Sequence, residues 1–93
     1  MAQYRSTMLN LTLKNTQYPK RAVTFKQEGT VILMVKVDRS GELLDMSQAT
    51  SSEYKLLNNA ALKAVRKTAP YPEVPEELIG DAIEVSLPFS FKL

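Results

Sequence analysis

The chain has 93 residues, 44% of them hydrophobic and 24% charged, which suits one small domain with a single core. It contains no cysteine and no histidine, which removes cysteine nucleophiles, histidine bases, Ser-His-Asp triads and thiolate or imidazole zinc sites together. The net charge is +2 and the pI about 9.0, and the charges are segregated along the chain. Arg5, Lys14, Lys20, Arg21 and Lys26 precede the first acid, Glu28, whereas Glu73, Glu76, Glu77, Asp81 and Glu84 follow one another without a base. Such a distribution describes a dipolar surface rather than a nucleic-acid stripe. No apolar run approaches membrane-spanning length, and no signal-peptide leader is expected in these residues.

Residues 1–16 form a lead segment with two periodicities. Leu9, Leu11 and Leu13 alternate with Asn10, Thr12 and Lys14, whereas Tyr4, Met8 and Leu11 are spaced for a helix. The alternation favours an extended segment. Tyr18-Pro19 breaks the pattern, and Pro19 suits the first turn of a short helix running to about Phe25. Gly29 to Asp38 reads as a strand with Val31, Leu33, Val35 and Val37 on one face and Thr30, Ile32, Met34 and Lys36 on the other, half-apolar face. Asp38-Arg-Ser-Gly41 is a tight turn, and Glu42 to about Ala49 returns as the second strand of a hairpin, with crowded leucines that suggest a bulge.

Thr50-Ser-Ser-Glu53 has the form of a capping box opening the main helix, about Glu53 to Thr68. Tyr54, Leu57, Ala61, Ala64, Val65 and Thr68 make its apolar stripe, with Lys55, Lys63, Arg66 and Lys67 on a solvated face opposite. Pro70 stops the helix, and Ala69 to Pro75, with three prolines, is an extended connector. Gly80-Asp81 launches the last strand, in which Ile83, Val85, Leu87, Phe89, Phe91 and Leu93 face inward and Glu84, Ser86, Pro88, Ser90 and Lys92 outward.

Hairpin, helix and returning strand, joined by a right-handed crossover, give an α+β fold: a three-stranded antiparallel sheet of order 2-1-3, one main helix on one face and a short N-terminal helix. That order puts the last strand at an edge, where Pro88 independently belongs, since proline has no N–H for a ladder. An edge proline either blunts the edge against aggregation or marks a socket for another chain's strand. Glu76-Glu77 has no partner base, so catalysis is not expected, and no cofactor or metal is implied. The outward strand positions carry no aromatic residue, which argues against an RNA-stacking platform and leaves no nucleic-acid partner.

Taken in order, Gln17-Tyr-Pro-Lys-Arg-Ala22, Gly29-Thr-Val, Val37-Asp-Arg-Ser-Gly41, Thr50-Ser-Ser, Leu57-Asn-Asn-Ala-Ala-Leu-Lys-Ala-Val-Arg66, Ala69-Pro-Tyr-Pro and Leu87-Pro-Phe-Ser-Phe-Lys-Leu93 resemble the C-terminal domain of the TonB family over residues 17–93. The family often has Gly after Ser-Ser and Asp after the helix leucine, where this chain has Glu53 and Asn58, so the helix start is the geometry in doubt.

The resemblance implies a periplasmic adaptor domain of an inner-membrane-anchored Gram-negative protein. Its anchor, and the part that meets ExbB and ExbD, lie outside this chain. It implies binding of the TonB box of outer-membrane TonB-dependent transporters for siderophores, haem or vitamins, by strand addition at the last strand. Carried onto this sequence, the dock comprises Ile83, Glu84, Val85, Ser86, Leu87 and Ser90, with Asn15, Thr16 and Gln17 as a second contact region. Pro88 limits the docking ladder, so pairing is expected along Ile83–Leu87 and weaker beyond it. The rival readings are a TolA-like periplasmic interaction domain and a weak homodimer that pairs free edges.

Overall fold

A computed structural model describes residues 2–93. The elements are α1 (Ala2–Lys14), α2 (Lys20–Thr24), β1 (Gly29–Asp38), β2 (Leu43–Thr50), α3 (Lys55–Thr68) and β3 (Ala82–Phe91). The sheet is antiparallel with order β2-β1-β3, as the hairpin–helix–strand argument requires. β1 buries Val31, Leu33, Val35 and Val37, while Ile32, Met34 and Lys36 on the other face are half-buried. The β1–β2 ladder is irregular between Ile32 and Leu33, where it skips Ala49, and between Lys36 and Val37, where it skips Leu44, so one of its two bulges falls at the crowded leucines.

The first helix corrects the extended reading of the lead segment. Tyr4, Met8 and Thr12, four residues apart, form its buried face. The Tyr4 hydroxyl donates to the Pro72 carbonyl at 2.8 Å, and Thr12 Oγ1 lies 2.7 Å from the Tyr71 hydroxyl. The three-leucine alternation has no strand to serve: Leu13 is exposed, and Leu9 and Leu11 are half-buried on a helix. Met1 lies outside the described residues.

The capping box is corrected too. α3 begins at Lys55, with Tyr54 at the cap position and no side-chain cap bond there. Ser52 and Asn58 tie the entrance instead. The Ser52 N–H donates to Asn58 Oδ1 at 2.8 Å, Asn58 Nδ2 returns to the Ser52 carbonyl at 3.2 Å, and the Tyr54 N–H donates to Ser52 Oγ at 3.1 Å. An amide at position 58 both accepts and donates, so it satisfies both main-chain groups of Ser52 at once. Leu57, Ala61, Ala64 and Val65 then face the core, the alanines allowing close approach to the sheet.

The turn between β1 and β2 also holds the connector that leads to β3. Gly41 has φ +93°, and a Cβ there would meet the Tyr71 carbonyl oxygen at 1.9 Å, so only glycine fits. The Tyr71 N–H donates to the Gly41 carbonyl at 2.8 Å and the Val74 N–H to the Arg39 carbonyl at 3.0 Å. The Arg39 guanidinium donates to the carbonyls of Pro75, Leu78 and Gly80. An acidic, proline-rich segment is thereby fixed without regular structure.

Candidate docking edge

β3 sorts its residues into two sets. Ile83, Val85, Leu87, Phe89 and Phe91 are all at most 5% exposed. Leu93 departs from the predicted inward set: the strand ends at Phe91, and Leu93 is 60% exposed, its N–H donating to Glu28 Oε2. Glu84, Ser86, Pro88 and Ser90 lie on the outer face.

The main-chain directions follow from one contact. The Ser86 carbonyl accepts from Arg5 Nε of α1 at 3.0 Å, so it points away from β1. Residues two apart in a strand turn their N–H and C=O to the same side. Glu84, Ser86, Pro88 and Ser90 therefore address the free edge. Pro88, opposite Ile32, lacks an N–H only where β1 asks for none. Along this edge Ser86 has its carbonyl engaged and Pro88 has no donor, whereas Ser90 has both groups free of the β1 ladder.

α1 runs beside this edge. Arg5 reaches Ser86, and Leu13 lines a groove with Thr16, Tyr18, Phe89, Ser90 and Phe91. Eight helical residues advance about 12 Å and four strand residues about 13 Å, so helix and strand keep pace. The groove holds about 240 Å3 and none of its lining side chains is charged. Tyr18 forms its wall: its ring meets Phe91 edge-on, centroids 5.4 Å apart at 82°, and its hydroxyl donates to the Gln27 carbonyl. Burial of that hydroxyl, with Glu28 adding to it, raises its pKa above the ordinary tyrosine value.

The expected contact residues fall into three places. Thr16 and Ser90 share the groove at the end of β3. Asn15 and Gln17 line a second groove on the α3 side of Tyr18, where Asn15 Nδ2 donates to Thr68 Oγ1 at 2.9 Å. Glu84 and Ser86 lie along the part of the edge nearest Arg5, whereas Ile83, Val85 and Leu87 between them are buried and turn their main-chain groups to β1, so they support the edge without facing a partner. The sequence reading missed Arg5 and Leu13, whose neighbours on β3 stand about eighty residues away; only the Tyr4–Met8 helical spacing pointed that way. This edge offers main-chain donors and acceptors and a small apolar groove. No group of three or more His, Cys, Asp or Glu suited to a metal occurs among the described residues, and no described helix is long and apolar enough to cross a membrane.

Comparison with known proteins gives this geometry a family. The profile of the Gram-negative bacterial TonB protein C-terminal family matches residues 14–93. Protein TonB of Pasteurella multocida is 32% identical over 90 residues, which span 97% of this chain and 34% of that protein. The chain thus corresponds to about a third of its curated relative. Among solved structures, the C-terminal domain of Helicobacter pylori TonB superposes with a TM-score of 0.84 at 21% identity, covering 100% of this chain and 83% of that one. The HasB C-terminal domain gives 0.61 at 25% identity, covering 97% and 70%. The sheet order, the helices and these matches agree, and the chain belongs to the TonB C-terminal domain family.

Proposed function

We propose that this domain is the adaptor end of an energy-transducing protein, and that it binds the TonB box of outer-membrane transporters by strand addition to β3. On this reading it works in the periplasm, with an inner-membrane anchor and an ExbB–ExbD motor acting through parts of the protein outside this chain. The observation that carries the reading is the placement of Thr16, Tyr18 and Ser90 around one groove at the open end of the edge strand. An added strand satisfies main-chain groups whatever its side chains are, so one domain serves several transporters. The strongest pairing is expected at Pro88–Phe91, where the Pro88 carbonyl and both groups of Ser90 are presented. Arg5 holds the Ser86 carbonyl, so pairing over Ile83–Leu87 requires that arm to swing aside.

The test is Ser90→Pro, which removes one outward N–H and leaves the β1 ladder intact. A TonB-box peptide titrated into the labelled domain should shift amides at Thr16, Tyr18 and 89–91, and the variant should bind about tenfold more weakly, one hydrogen bond's worth. A folded Ser90→Pro domain that binds with unchanged affinity rejects β3 as the dock.

A further inference from the structure

The second groove, between α3 and residues 15–20, is larger than the first. It holds about 620 Å3, within the roughly 300–1,000 Å3 typical of ligand clefts. Its floor is Leu56, Ala60 and Ala64, and Lys20, Lys63 and Lys67 stand around it with the amides of Asn15, Gln17 and Asn59. No lining residue is acidic, and all three lysines are exposed. Three ammonium groups around an apolar floor repel one another and favour an anionic occupant.

The spacing says which anion. The α3 wall runs from Leu56 to Lys67, about 17 Å of helix, the length of roughly five extended residues. Asn59, Lys63 and Lys67 recur every fourth residue, about 6 Å apart along the axis. Side chains on one face of an extended peptide recur every second residue, roughly 6.7 Å apart. Carboxylates at alternate positions therefore meet successive lysines, with Lys20 closing from the other wall. A concave cleft does not seat a flat bilayer, and Tyr18 is the only aromatic side chain lining it, too few to stack successive bases.

We propose that this groove is a second binding site, for an extended acidic peptide segment of a partner protein with carboxylates at alternate positions. The site does not depend on strand addition at β3.

The test uses three five-residue peptides: one with glutamates at positions one, three and five, one of the same composition with the glutamates adjacent, and one with glutamines in their place. The alternating peptide should shift the amides of Tyr18, Asn59, Lys63 and Lys67. Its affinity should fall about tenfold between about 50 and 200 mM salt, as expected for exposed charges. Lys63→Glu/Lys67→Glu, both exposed helix positions, should abolish these shifts, and Ser90→Pro should leave them unchanged, which separates this site from the β3 dock. Equal affinity for the glutamine or adjacent-glutamate peptide overturns the proposal. So do identical shifts with inorganic phosphate alone, tighter binding of a single-stranded oligonucleotide, or no shift at the groove.

Discussion

The two edges of the sheet are built differently. β3 sends five side chains into the core, has α1 beside it and presents a gapped row of main-chain groups. Of β2, only Leu43 and Met46 are half-buried, and the rest of the strand is exposed. Its outer flank is a shallow groove against Leu62 and Arg66 of α3. A strand that is half core and half edge can take a partner without being peeled away, because its own side chains resist removal from the apolar interior. A strand held mainly by its ladder has no such reserve. The contrast supports β3, and not β2, as the place where a pulled ligand attaches.

Truncating the core side of each edge is the most severe test. Phe89→Ala should cost about 4 kcal/mol and Met46→Ala about 1 kcal/mol or less, measured by denaturant unfolding. Equal losses would erase the distinction. Gly41→Ala should cost on the order of 3 kcal/mol, through the positive φ and the collision with the Tyr71 carbonyl. The released connector should raise hydrogen exchange at the start of β3.

Lys36 stands between Asp45 of β2 and Glu84 of β3 on the outer face. Lys36→Ala should cost only about 0.5 kcal/mol, and less in high salt. The smallest effect is an acid one. The Asp38 carboxylate accepts from the Ser40 hydroxyl and the Glu42 N–H, which lower its pKa. Its stabilisation is therefore complete above the ordinary aspartate value near 4 and is lost as the pH falls below it. Asp38→Asn should flatten this part of the pH profile, with the change in protection confined to the turn and the start of β2.

The sequence showed most of the sheet and little of what surrounds its edge. Strict alternation marked β1 and β3 because each has one fully buried face, and Pro88 marked the edge through a group it lacks. α1 departs from the extended expectation because its buried face is Tyr4, Met8 and Thr12. Only a distant partner, Tyr71, makes a threonine a core position, while three nearby leucines imitate a strand. Ser52 and Asn58 escaped the capping-box pattern because they hold the helix entrance from six residues apart. Of the expected contacts, Thr16 and Ser90 were placed together by the fold, a closeness that no local pattern encodes.

Arg39 acts as a cleat. Tension on β3 is met first by its ladder with β1, in shear. Slack pulled backwards from its N-terminal end meets the grip on Pro75, Leu78 and Gly80 before it reaches α3. The helix is thus belayed at the far end of the hairpin, and a tug strong enough to stretch the connector need not unwind it.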